Sequence, residues 1–175
     1  MLENSSLSPM LSQFKPNSMH DLSIINAMSR QGIANYFPYV INNKFNTEEI
    51  FCFSDIRVSN LLKETYGLLI YQETFLHLSK EIAGISFKEA NVWKSKIMRS
   101  RNDIDLMEFR TVFTNGCATH SSLDKIEIDF LTNMVVVMLR FTFQKSHSLS
   151  YSLIGYWGAY YKSHFRKQFN KIFNN

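Results

Sequence analysis

Residues 86–101, SFKEANVWKSKIMRSR, decide the fold class. Ser86 followed three positions later by Glu89 is the pattern of a capping box, in which the hydroxyl and the carboxylate each satisfy an orphan N–H at a helix start. The spacing predicts a helix over about Phe87 to Arg101. Its first turn attracts anions through the helix dipole, and Lys94, Lys96, Arg99 and Arg101 make its far end basic.

Upstream the same rhythm recurs. The segment LLIYQETFLHLSKEIAG (68–84) is apolar at Ile70, Phe75, Leu78 and Ile82 and stops at Ala83-Gly84; another helical tract starts near Ser59. Residues 33–58 read as an irregular connection holding Pro38, the polar NNKFNTEE and a short apolar piece around Ile50 to Phe53. Before it, Ser18 with Asp21 three positions on starts a helix over about Met19 to Arg30, and Gly32 stops it.

Downstream, Asp124 to Phe141 is apolar at Ile126, Phe130, Leu131, Met134 and Met138, a helical period, although Val135-Val136-Val137 suits a strand as well. In the last tract, Ser148 to Phe173, a helix puts Ile154, Trp157, Tyr161 and Phe165 on one stripe and Lys162, Arg166 and Lys167 off it. With six Gly and three Pro in 175 residues, the chain reads as helices joined by short turns. The expectation is a single, mainly α, irregular helical domain over 1–175, with one short β pair as an option.

Composition is that of an ordinary globular protein, 45% hydrophobic and 19% charged. Nineteen basic against fifteen acidic residues leave +4, a weak pull on phosphate. Cys52 and Cys117 match neither a disulfide framework nor a zinc spacing. The longest aliphatic run, MVVVML (134–139), is too short for a bilayer, and no signal-peptide pattern opens the chain; the reading is a cytoplasmic protein without a membrane partner.

Catalytic patterns are weak. Ser146-His147 are adjacent, so a helix turns them about 100° apart, and no third group orients the base. Asp103-Ile-Asp105 has a two-metal spacing that works on a strand, but beside a basic helix end the two read as solvated charges. The five histidines show no clustered spacing, and His77 reads as a satisfied or rim residue. No catalytic or metal residue is assigned. Basic residues interleaved with aromatics fit nucleic acid, but Tyr, Trp and Phe at helical spacing are more often core.

Three ordered blocks carry a resemblance. Phe143-Gln-Lys145-Ser146-His147-Ser148, then Tyr151, Tyr156, Ala159-Tyr160, Lys162 and Phe169, resembles F-N-K-S-H-S-x-x-Y-A-x-x-x-Y-x-x-A-Y-L-K-A-x-Y-P-x-E-F. LKETYGLLIYQE (62–73) is similar to L-K-E-T-Y-G-I-x-x-Y-Q-E, and KPNSMHDLSIINAMSRQG (15–32) to K-P-x-x-F-E-D-L-I-A-x-x-A-L-Y-R-P-G. These are blocks of the fingers of the bacterial DNA polymerase III alpha subunit, the C-family replicative polymerase, and the resemblance covers nearly the whole chain.

That resemblance implies a fingers-like fold that presents cations and hydroxyls to the incoming nucleotide's triphosphate and to DNA. The implied nucleotide and DNA-phosphate contacts are Arg30, Lys94, Lys96, Arg99, Arg101, Lys145, Ser146 and His147, with Tyr71, Gln72, Glu73 and Tyr151 as family-motif residues. Lys145-Ser146-His147 needs no acidic neighbour if its partner is a phosphate. The palm aspartates that hold two magnesium ions fall before Met1 in this alignment. The expectation is therefore a fragment of an alpha subunit acting in DNA replication, binding no cofactor alone, with Mg2+ belonging to the complete polymerase.

Its implied partners are DNA and dNTP, bound weakly alone, and a palm-bearing polypeptide or other replisome subunits; no nucleotide incorporation is expected from the chain by itself. A stand-alone binding or decoy protein that kept the fold, and a reading frame without selected function, remain alternatives. The family's basic loop, similar to L-R-R-A-M-G-K-K, aligns with Trp93 to Ser100, so its Gly becomes Met98, a bulky residue where backbone could approach phosphate.

Overall fold

The computed structural model describes residues 7–30, 32–46, 53–99 and 103–173. Among them are ten α-helices and no strand: α1 Leu7–Phe14, α2 Met19–Met28, α3 Phe37–Phe45, α4 Ile56–Lys63, α5 Gln72–Glu81, α6 Phe87–Arg99, α7 Ile104–His120, α8 Lys125–Met138, α9 Lys145–His164 and α10 Arg166–Phe173. The fold is mainly α. The chain divides into two compact units, residues 1–34 with 145–175, and residues 35–144.

The first unit is built on α2. The Ser18 hydroxyl accepts the Asp21 N–H at 3.1 Å, satisfying a donor orphaned at the helix start, and the Asp21 carboxylate accepts the Asn17 N–H, just ahead of the cap, at 3.0 Å. Ile24, Ile25, Ala27 and Met28 are buried, and Gly32, at φ 94°, lies just beyond the helix. Packing of α9 on α2 uses small residues: Ser148 and Ser152 are the buried residues of α9. The Ser148 hydroxyl donates to the Ser23 carbonyl at 2.7 Å, while the Asn26 amide reaches the Ser148 hydroxyl at 3.3 Å.

The second unit has an aromatic core. Phe75 of α5 meets Phe109 of α7 at 5.6 Å between ring centroids, and Phe109 also meets Phe113 at 5.6 Å and Trp93 of α6 at 5.8 Å. Buried rings in such tilted pairs contribute beyond the area they remove from water. At Gly116 a Cβ would overlap the Ala83 carbonyl, so the missing side chain lets α7 lie against the end of α5.

Polar groups tie the ends of these helices together. Asp55 caps α4 and also accepts the Ser122 N–H at 3.1 Å, while Arg57 donates to the carbonyl oxygens of Glu81 at 2.7 Å and His120 at 2.9 Å. Two helix C-termini thereby share one guanidinium. Asp124 and Glu127 form a complete capping box at the start of α8, and Glu127 also accepts from the Ser54 hydroxyl.

Several expectations change. The stretch read as irregular contains α3, because Pro38 lies in the first turn, where a missing N–H leaves no bond unmade. Ser86 accepts the Glu89 N–H at 3.2 Å as expected, but the complete reciprocal box stands at Asp124. Val135 to Val137 lie in a helix, and the last tract breaks at Phe165 into α9 and α10. The stripe of Ile154, Trp157, Tyr161 and Phe165 is exposed, where helical spacing favoured core. Cys52 lies outside the described residues.

Candidate functional site

Two regions carry the residues singled out in the sequence, one in each unit. In the second unit the motif blocks meet at Gln72. Tyr71 and Phe143 form an isolated parallel bridge: the Gln72 N–H donates to the Phe143 carbonyl and the Phe143 N–H to the Ile70 carbonyl, both at 2.9 Å. The Gln72 amide contacts the Met98 sulfur at 3.6 Å and the Thr142 carbonyl at 3.5 Å. Three segments far apart in sequence thus come together around one side chain. Tyr71 itself is fully buried and serves the core; Glu73 is half-buried on the first turn of α5.

The cations of α6 are not equivalent. Lys96 lies between Asp105 at 2.9 Å and Glu108 at 3.1 Å, and its ammonium sits 5.0 Å from the Trp93 ring. The hydrogen bonds it donates to Asp105 and Glu108 push its pKa up, and the pair of carboxylates commits it to the α6–α7 contact. Lys94 is half-buried and Arg99 exposed, and among the described residues neither has an ion-pair partner. Arg101 lies outside the described residues.

In the first unit, Lys145, Ser146 and His147 form the first turn of the 20-residue α9, which has no acidic residue there. The helix dipole adds to the lysine's charge at this end of α9, the arrangement that favours a phosphate. His147 stacks on Tyr151 with centroids 4.3 Å apart, Ser146 is exposed, and Ser148 anchors the turn to α2 as described. Arg30 is exposed, just after α2. What sequence reasoning missed is the anchoring role of Ser148, signalled only by a small residue at a helix position facing a buried neighbour.

The donor set for magnesium does not fit. Among the described residues no group of three or more His, Cys, Asp or Glu side chains converges, and Asp103 and Asp105 pair with Arg140 at 3.1 Å and Lys96 at 2.9 Å. Cys117 is buried in the core, and burial followed by the charge of Asp55 pushes its thiol up to about 12, too high for a nucleophile near neutral pH. His77 pairs with Glu81 at 2.9 Å on an exposed face. No helix among the described residues is long and apolar enough to cross a membrane.

A family model of the bacterial DNA polymerase III alpha subunit finger domain matches residues 1–121. The DNA polymerase III subunit alpha of Mycoplasma pneumoniae is 32% identical over 165 residues, covering 93% of this chain and 18% of that protein. Those of Ureaplasma parvum and Bacillus subtilis are 29% and 28% identical, covering 92% and 93% of this chain and 16% and 14% of theirs. An aligned stretch of 165 residues in a chain of 175 takes in Lys145 to His147. The chain spans less than a fifth of the length of these relatives.

Proposed function

The chain belongs to the finger-domain family of bacterial DNA polymerase III alpha subunits, and from that premise we propose that it supplies phosphate contacts for DNA and an incoming nucleotide in replication. In this reading Lys145, Ser146 and His147 hold phosphate oxygens at the start of α9, and Lys94 and Arg99 neutralise further backbone phosphates. The observation that carries it is the composition of the first turn of α9: a cation, a hydroxyl and an imidazole stand at a helix N-terminus, and that turn contains no acidic residue of its own. Lys96 takes no part, because Asp105 and Glu108 hold its charge.

Chemistry is then the work of carboxylates contributed by a palm, and this chain's residues bind and orient rather than catalyse. Binding of a labelled primer-template, followed by fluorescence anisotropy across a salt series, tests the reading. Each cation that neutralises a phosphate contributes about 0.9 to the slope of log K against log salt. Replacing Lys145, Lys94 or Arg99 by Gln is expected to reduce that slope by about one such step each. Salt-independent binding, slopes unchanged in all three variants, or nucleotide incorporation by the purified chain alone would overturn it.

A further inference from the structure

The side-chain amide of Gln72 is held loosely. It reaches the Met98 sulfur at 3.6 Å and the Thr142 carbonyl at 3.5 Å; the first is a weak acceptor, and the second lies beyond the ordinary N–H···O length. A half-buried donor with two hydrogens therefore lacks a good acceptor where the start of α5, the end of α6 and residues 142–143 meet.

The sulfur beside it is open to solution. Met98 is 41% exposed, whereas Met28 and Met138 are buried. Met107 is more exposed still, at 69%, yet among the described residues no side-chain donor meets its sulfur. The Cys117 thiol, buried and pushed up to about 12, offers an oxidant little thiolate. Met98 thus combines a reachable thioether with a donor waiting next to it. It also stands where the similar family block has Gly, so this sulfur is no part of the shared pattern.

We propose that the Met98 thioether is an oxidation site for hydroperoxides, and that its sulfoxide takes the Gln72 amide and tightens the join between α5 and α6. The lone pair of the sulfur not engaged by Gln72 attacks one peroxide oxygen. An S–O bond forms, the O–O bond breaks, the sulfur gives up two electrons, and the proton of the transferred oxygen passes to the departing one, which leaves as water. Rotation about the Cγ–Sδ bond then turns the new oxygen toward Gln72. The S–O bond is short compared with 3.6 Å, so that oxygen comes within hydrogen-bond length of the amide without a shift of either helix.

A sulfoxide in an apolar setting loosens packing, because its oxygen finds no partner. Here the partner is already in place. The inference is independent of the phosphate reading, since it concerns the second unit's own cohesion.

The full chain, in a Met107→Leu background that removes the other exposed sulfur, is treated with hydrogen peroxide. Conversion at each methionine is followed by peptide mass spectrometry, and stability by urea denaturation. Met98 is expected to convert before Met28 and Met138. The urea midpoint should rise by about 0.3 M on oxidation, and return after treatment with the two methionine sulfoxide reductases, one for each epimer. Met98→Leu keeps the apolar volume without the sulfur and should show no rise. Gln72→Glu turns an acceptor toward the new oxygen, so oxidation should lower its midpoint. A Met98 that stays reduced while the buried methionines convert, or a midpoint that holds or falls when Met98 is oxidised beside Gln72, overturns the proposal. So does an equal rise in Met98→Leu or in Gln72→Glu.

Discussion

The guanidinium of Arg57 donates to the carbonyl oxygen of His120 at 2.9 Å while holding the Asp55 carboxylate at 2.6 Å. Arg57 is half exposed but Asp55 is buried, so removing the cation leaves that carboxylate with backbone N–H partners only and hands the exposed carbonyls of Glu81 and His120 to water. Arg57→Leu is expected to lower stability by about 2–3 kcal/mol, measured by urea denaturation near neutral pH.

Acid provides a second reading of the same group. The Arg57 guanidinium, chiefly through its hydrogen bond, holds the Asp55 carboxyl far below the ordinary carboxylate range, with the Ser122 and Arg57 N–H groups assisting. A depressed folded-state pKa contributes stability above the unfolded value, about 3.9, and loses it as pH falls toward the folded value. Stability should therefore decline below about pH 4, and the decline should be shallower in Arg57→Leu. A pH series of urea midpoints for the two proteins checks the difference in slope.

Gly116→Ala places a methyl group against the Ala83 carbonyl, a backbone atom that cannot swing aside. The expected cost is about 2–3 kcal/mol, as for other overpacked sites. Equal stability of the two proteins in thermal melts would show that α7 shifts freely along α5.

Ser152 presents the opposite case. Its hydroxyl is buried on α9 with no hydrogen-bond partner among the described residues, so it loses water and gains nothing in return. The related family block has Ala at this position. Ser152→Ala should stabilise the chain by about 1 kcal/mol, read from the urea midpoint at constant m-value.

Met98 stands where the family's loop has Gly, and its sulfur lies against the Gln72 amide. Met98→Gly removes that contact and opens the backbone near Arg99. We expect a loss of about 1 kcal/mol in stability, from glycine in the last turn of α6, together with tighter primer-template binding in the anisotropy assay. Weaker binding would assign Met98 a favourable role at the junction.

Much of this arrangement is legible in the residues. Ser18 with Asp21 and then Gly32 bracket α2, and Ala83-Gly84 end the tract containing α5, because caps and stops are local chemistry that tertiary packing rarely overrules. α3 was not legible, since Pro38 looks like a breaker until its place in the first turn is known. α7 carries its signal at Phe109, Phe113 and Cys117, four residues apart, diluted by polar neighbours. The pairing of Lys96 with Asp105 and Glu108 follows from how two helices meet, which no local pattern encodes. Periodicity picked out the aromatic stripe of α9 correctly as a face, but a period cannot say whether the same chain covers it.

Two of the bonds at the junction between Tyr71 and Phe143 run between peptide groups. Every residue except proline carries the N–H that such a bond needs, so side chains here can change without breaking these two bonds. Divergence to about one residue in three, as against Mycoplasma pneumoniae, is therefore compatible with an unchanged seam. Proline at either bonded N–H, Gln72 or Phe143, is the substitution such drift would have to avoid.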